Sequence, residues 1–191
     1  MAIEIVETLQ VDAPADRVWR FVVDPERVVG CMPGAVLDEV VDECNFLGSV
    51  KVKVGAITAS YAGRVRFTEV DEAKRTLRMT AEGRETGGGT AKGVISLRVN
   101  GLPGGGSELV TEANVDITGR IMQVGRGMIQ GVSHQLFKQF ASSAKQQLET
   151  DAAGAPATQE QTPVRILPVL FEAFRAAVAS FFKKLFGRAT G

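Results

Sequence analysis

The chain has 191 residues, 45% of them apolar, which is enough for one domain with a substantial core and an appendage. Its net charge is zero, but residues 164–191 carry five basic side chains and one acidic one, so residues 1–163 carry a charge of −4. An acidic body with a short basic tail excludes an extended nucleic-acid interface, because phosphate binding needs many distributed Lys and Arg contacts.

Cysteine and histidine are too sparse for a metal site or a disulfide framework. Cys31 and Cys44 lack metal-type spacing, and His134 is the only histidine. The first residues are acidic and alternate like a strand, so we expect no signal peptide and a cytoplasmic protein.

The opening residues predict a strand followed by two short helices. Residues 2–11 alternate between apolar and polar, and a helix then starts at Asp12 or at the Ala13-Pro14 step and continues through Val22. Asp24-Pro25 opens a second helix that ends near Gly30, because Asp is a good N-cap and Pro fits the first helical turn.

Residues 35–117 predict an antiparallel meander of about six further strands, making seven with the first. Val50, Val52 and Val54 alternate with Lys51 and Lys53, and similar short alternations follow. Turn sequences at residues 87–89 and 101–106 are rich in glycine and connect these runs.

After Gly119 the apolar period changes to that of a long helix, which continues to Leu148 and covers the open face of the sheet. Residues 151–163 lack large apolar side chains, which is typical of a flexible linker. The sequence therefore predicts a domain at residues 1–150, the linker, and a separate amphipathic helix at residues 164–191.

The tail predicts a helix that lies on a membrane surface. At 100° per residue its apolar side chains share one side, and its apolar runs are much shorter than the roughly 20 residues of a transmembrane helix. Docking on a partner protein or self-association would also cover the phenylalanines. The residues expected to contact the membrane are Leu170, Phe171, Phe174, Val178, Phe181, Phe182, Lys183, Lys184 and Leu185.

This order of elements resembles the α+β helix-grip fold of the START, Bet v 1 and polyketide-cyclase-like (SRPBCC) proteins. In that fold a curved antiparallel sheet wraps a long C-terminal helix around a hydrophobic cavity. A closer resemblance is to the carbon monoxide dehydrogenase G-subunit (CoxG) family, and it covers about residues 1–150. The segments that carry it are Val50-Lys51-Val52-Lys53-Val54-Gly55, Tyr61-Ala62-Gly63, Cys31-Met32-Pro33-Gly34 and Gly125-Arg126-Gly127.

The resemblance implies an accessory protein without a redox group of its own. Family members commonly accompany molybdenum-containing carbon monoxide dehydrogenases and similar respiratory enzymes, and some have a tail thought to contact the membrane. We therefore expect a non-enzymatic protein that binds a lipophile, such as menaquinone or another quinone, and links a soluble oxidoreductase to the inner face of the cell membrane. A cyclase-like or hydrolase-like enzyme and a recruitment adaptor with a solid core are the alternatives.

Candidate cavity residues are apolar or adaptable side chains on the elements that would face each other. An ordinary core role is the competing interpretation for each of them. His134 could serve a quinone oxygen or a proton transfer, and a surface or locally satisfied histidine is the competing interpretation. Gly127 and Gly131 share one face of the predicted helix, where they could tighten its packing on the sheet or leave space for a ligand. The cavity candidates are Trp19, Met32, Tyr61, Met79, Met122, Met128, Ile129, Val132 and Leu136.

Overall fold

Seven strands form one antiparallel sheet in the computed structural model, which describes residues 2–150. The spatial order is β1-β7-β6-β5-β4-β3-β2, so the first strand joins the last and β2 forms the far edge. This is the predicted meander with β1 added beside β7. The strands are β1 (Ala2–Val11), β2 (Ala35–Val40), β3 (Asn45–Val54), β4 (Ile57–Asp71), β5 (Thr76–Glu85), β6 (Thr90–Gly101) and β7 (Ser107–Ile117).

Two short helices connect β1 to β2, as predicted. They are α1 (Ala15–Val22) and α2 (Pro25–Cys31). The Asp24 carboxylate accepts hydrogen bonds from the backbone N–H groups of Glu26 and Arg27, both at 3.1 Å. These bonds satisfy two of the free N–H groups at the start of α2, and Pro25 needs no such bond.

The long helix starts later than the sequence predicted. A short 3-10 turn (Arg120–Val124) comes first, and helix α3 spans Arg126–Thr150. Gly125 separates them with φ of +84°, a conformation that side-chain-bearing residues rarely adopt. The apolar period of Ile121 and Val124 fits either a 3-10 turn or an α-helix, so it could not show this break.

The main core lies at one end of the sheet, where α1 and the C-terminal half of α3 meet it. Trp19 and Phe21 from α1 pack in one cluster with Leu109 of β7 and with Ala144 and Leu148 of α3. All five side chains are buried. This cluster anchors the last turns of α3 to the sheet.

A second, smaller cluster lies near the start of α3. Val54 of β3 and Ala59 and Tyr61 of β4 surround Ile121 from the 3-10 turn. Ile129, on the second turn of α3, is also buried. The helix is therefore held to the sheet near both of its ends.

Glycines in three neighbouring strands lie opposite one another in the middle of the sheet. Gly48 of β3 pairs with Gly63 of β4, which pairs with Gly83 of β5. A Cβ at Gly63 would overlap the carbonyl oxygen of Glu82 and lie 2.6 Å from the Gly83 Cα, whereas a Cβ at Gly83 would meet only ordinary contacts from 3.5 Å upward. Close backbone approach therefore makes glycine necessary at residue 63 but not at residue 83.

The predicted linker and tail lie outside the described residues. Within residues 2–150, no helix is both long and apolar enough to cross a membrane.

We predict that Gly63→Ala lowers the free energy of unfolding by about 2–3 kcal/mol, because the new methyl group forces β4 and β5 apart. Gly83→Ala is the matched control and should change stability by less than about 1 kcal/mol. Urea unfolding, followed by the fluorescence of Trp19, the only tryptophan of the chain, measures both. Equal destabilisation by the two substitutions would contradict this interpretation.

Candidate ligand-binding cavity

A cavity of about 390 Å³ lies between the inner face of the curved sheet and the first half of α3. It reaches from the α2–β2 connection to β7, and valine, isoleucine, alanine and glycine dominate its lining. The apolar residues that line it include Val29, Val36, Val50, Val52, Val54, Val65, Ala81, Ala91, Ile95, Val115, Ile117, Ile121, Ile129, Val132 and Leu136.

The space exists because small residues occupy the middle strands of the inner face. Ala81 of β5 pairs with Gly93 of β6, and Gly83 pairs with Ala91. All four line the cavity and none of them is fully buried, although they face the covered side of the sheet. Larger side chains at these positions would reach towards α3 and fill the gap.

The cavity is open on the side formed by the α2–β2 connection. Met32, directly after α2, and Val36 of β2 both line it, yet their exposed fractions are 44% and 55%. An apolar molecule would keep contact with solvent, or with another surface, at this side. Met32 is one of the sequence-predicted cavity residues.

The structure brings five of the predicted cavity residues together. Met32 and Tyr61 line the cavity from the α2–β2 connection and β4, and the other three line it from α3. Those three are Ile129, Val132 and Leu136.

The other four candidates do not line the cavity. Trp19 is buried in the main core, and Met79 packs against the same core from β5. Met122 lies on the 3-10 turn, and Met128 is 49% exposed. The Met128 thioether instead lies beside the β3–β4 turn, with its Sδ 3.2 Å from where a Cβ of Gly55 would stand. Apolar character alone did not distinguish core, surface and cavity positions.

Sequence reasoning missed most of the sheet side of the cavity. The signal that could have found it is the set of glycines inside strands, because an interior strand glycine often marks a place where another group approaches closely. Gly48, Gly63, Gly83 and Gly93 all line the cavity.

Two glycines and one histidine of α3 were also considered from the sequence. Gly127 and Gly131 are exposed, and a Cβ on either would meet nothing within 4 Å, so neither packing nor cavity formation explains them. His134 has a local partner, since its Nδ1 lies 2.7 Å from Oε1 of Glu7 on β1. Between residues 2 and 150 no group of His, Cys, Asp or Glu side chains could hold a metal ion.

One pair of buried polar side chains reaches the cavity through its tyrosine, which is a lining residue, whereas its glutamate is not. Tyr61 of β4 lies directly opposite Glu85 of β5, and we call these two side chains the polar corner. The Glu85 side chain is only 2% exposed, and its Oε1 lies 3.4 Å from Nη2 of Arg120, whose side chain is 62% exposed. The Tyr61 hydroxyl and Glu85 Oε2 are both buried and make no hydrogen bond in the described part of the chain.

Burial raises the pKa of the Tyr61 hydroxyl, and the charge of Glu85 raises it further. Both effects disfavour the phenolate, so the hydroxyl keeps its proton at neutral pH. A protonated hydroxyl at the cavity wall can donate a hydrogen bond to an oxygen of a bound molecule. The buried carboxylate beside it can only accept hydrogen bonds unless it is protonated.

Two other depressions flank α2 and the second half of α3. They are more open to solvent and are lined largely by polar residues, such as Gln139 and Ser143 in one and Glu26 and Gln146 in the other. They lack the continuous apolar wall that a lipophilic ligand requires.

Solved structures of low sequence identity share this fold. A conserved protein of Geobacillus kaustophilus is 15% identical with a TM-score of 0.71, covering 78% of this chain and 97% of its own. The Zhui aromatase/cyclase of Streptomyces sp. R1128 is 17% identical with a TM-score of 0.61 (81% and 100%). A START superfamily protein of Mycobacterium smegmatis is 13% identical with a TM-score of 0.54 (77% and 97%). These similarities show the fold alone, and they confirm the predicted helix-grip architecture.

Comparison with curated protein sequences gives no match. The model of one protein family, the carbon monoxide dehydrogenase G-subunit (CoxG) family, matches residues 8–149, which is almost the whole of the described domain. This chain therefore belongs to the CoxG family, and it has the helix-grip fold of START and Bet v 1-like proteins.

Proposed function

We propose that this protein is a non-enzymatic carrier of a respiratory quinone such as menaquinone. It binds the quinone in the cavity and links a molybdenum-containing carbon monoxide dehydrogenase, or a related soluble oxidoreductase, to the inner face of the cell membrane. The observation that carries the proposal is the apolar cavity between α3 and the sheet. Family membership supports the dehydrogenase partner.

The cavity suits a flat ring with an apolar chain. Its volume of about 390 Å³ lies within the roughly 300–1,000 Å³ range of small-molecule sites. Burial of apolar surface contributes about 25 cal/mol per Å², which favours transfer of a poorly soluble molecule out of water. The opening beside Met32 and Val36 leaves room for a long isoprenoid chain to continue outwards.

The partial exposure of inward-facing residues favours a carrier over an adaptor with a solid core. Ala81, Gly93 and Ile95 face the space below α3, and each keeps measurable exposure. A densely packed core would bury such central positions completely. The chain instead maintains a space that a ligand can fill.

The lining also favours a carrier over an enzyme. The Streptomyces aromatase/cyclase has this fold, but a shared fold does not by itself provide a catalytic site. General acid–base catalysis requires titratable groups that converge on one point. The charged residues along this cavity, Arg64, Glu82 and Lys92, are exposed and alternate along β4, β5 and β6 with the inward-facing small residues. Tyr61 is left as a hydrogen-bond donor for the ligand.

The tail provides the membrane contact in this proposal. Its support is the sequence of residues 164–191, with an apolar stripe that contains Phe171, Phe174 and Phe181 and a charge of +4. A basic residue near an anionic surface contributes only about 1 kcal/mol, so the contact is reversible. Reversible attachment lets the domain collect a quinone and then leave with it.

Solvent extraction and mass spectrometry of the purified full-length protein should detect a co-purifying isoprenoid quinone. Ala81→Leu should lower the quinone content about fivefold or more, because the larger side chain occupies the cavity. Ala62→Leu is the matched control, since Ala62 is exposed on the outer face of β4, and it should retain the quinone. Full quinone content in Ala81→Leu would contradict binding in this cavity.

Co-sedimentation with vesicles of phosphatidylethanolamine and phosphatidylglycerol tests the tail. Truncation after Thr150 should abolish most binding, and so should Phe174→Glu combined with Phe181→Glu, because both remove the apolar stripe. The double substitution to leucine is the control and should retain binding. If the truncated chain sediments as well as the full one, the tail is not the membrane anchor.

A further inference from the structure

The polar corner contains two buried oxygen atoms that lack hydrogen-bond partners within residues 2–150. Tyr61 is only 9% exposed and lines the cavity, and Glu85 lies directly across the strand pair from it. Buried polar atoms in native proteins are nearly always hydrogen-bonded, so an unpartnered pair beside a cavity indicates a role in binding.

The backbone around Glu85 is shaped to keep its carboxylate buried. A Cβ at Gly89 would lie 2.9 Å from Glu85 Oε2, and one at Gly119 would lie 3.4 Å from it. The β5–β6 turn and the residue before the 3-10 turn therefore cover this oxygen with bare backbone. A Cβ at Gly89 would also lie 2.6 Å from the backbone oxygen of Thr118, so the backbone itself requires glycine there.

The nearest opposite charge lies on the solvent side of this carboxylate. Arg120 approaches Oε1 from an exposed position, whereas Tyr61 lies on the cavity side. Arg64 is exposed on the outer face of the sheet, and Lys92 pairs with Glu82 at 3.7 Å, also outside. Glu85 is not itself a lining residue of the cavity, but it pairs directly with Tyr61, which is, so its carboxylate acts on a bound molecule from the neighbouring strand position.

We propose that the polar corner selects ligands by the charge of their head group. Tyr61 donates a hydrogen bond to an uncharged acceptor, such as a quinone or ketone carbonyl oxygen, while Glu85 repels lipophiles whose head group is a carboxylate or a phosphate. This inference rests on the proposed carrier function and adds the property that separates the ligand from the fatty acids of the same membrane.

The physical basis is that charges interact strongly where water is excluded. The Glu85 carboxylate already disfavours a negative charge on the Tyr61 oxygen, as the raised pKa of that hydroxyl indicates. An anionic ligand oxygen within hydrogen-bonding distance of Tyr61 would meet the same repulsion. A neutral carbonyl oxygen meets the hydroxyl donor without this penalty.

Three probes with the same decyl chain separate these effects in the full-length protein: 2-decyl-1,4-benzoquinone, 4-decylbenzoate and decylbenzene. Displacement of the neutral fluorophore N-phenyl-1-naphthylamine at pH 7 measures the affinity of each. Glu85→Gln should strengthen 4-decylbenzoate binding about tenfold and change quinone binding less than about twofold. Glu82→Gln removes one exposed acid nearby and should change neither.

Tyr61→Phe provides an independent test that does not require the Glu85 variant to fold. It should weaken quinone binding about fivefold, the effect of one lost hydrogen bond, and leave decylbenzene binding unchanged. Equal effects of Glu85→Gln and Glu82→Gln on 4-decylbenzoate would overturn the inference, as would equal weakening of quinone and decylbenzene by Tyr61→Phe. If none of the probes binds the native protein, the carrier function itself is wrong.

Discussion

The structure depends on how α3 is held against the sheet. Its fully buried positions are Ile129 near the start and Ala144 and Leu148 near the end. Between them the helix crosses the sheet above small residues, and the space below Val132 and Leu136 stays open. These anchors, together with the contact between His134 and Glu7 of β1, fix the height of the helix, so the cavity persists without side chains to fill it. A helix packed against the sheet along its whole length would leave no space for the cavity.

This arrangement costs stability, because a filled core would gain both apolar burial and van der Waals contacts. Removing core volume typically costs about 24 cal/mol per Å³ of cavity that remains. The chain concentrates its tight packing elsewhere, in the cluster of Phe21, Leu109 and Leu148. Tight packing therefore lies at one end of the sheet, and open space lies at the other end, along the length of α3. A ligand that fills the space returns part of the missing contacts.

The elements could be predicted from the sequence, and so could part of the site. Alternation of Val50, Lys51 and Val52 identified β3, and Asp24-Pro25 identified the start of α2, because both signals are local. The break at Gly125 was not predictable from periodicity, since Ile121 and Val124 suit either helix type. Local patterns report which face of an element is apolar. They do not report whether that face meets a core or a cavity.

The site residues show the same limit. Trp19 and Met79 are as apolar as Ile129 and Val132, but the first two fill the core and the last two line the cavity. What distinguishes the positions is the size of the residue on the opposite strand or helix, which depends on tertiary register. Glycines inside strands were the one sequence signal of that register, because an interior strand glycine often marks a place where another group approaches closely.

In our proposal, the polar corner lets one wall of the cavity combine adaptable binding with selectivity. Apolar contacts along β3 to β7 are non-directional, so they accept many lipophiles and give affinity without discrimination. Discrimination requires a group whose desolvation is costly if the wrong ligand binds. In our proposal Glu85 provides it, since its carboxylate is buried beside the backbone of Gly89 and Gly119. Affinity then resides in the strands, and specificity resides where β4 and β5 pair at Tyr61 and Glu85.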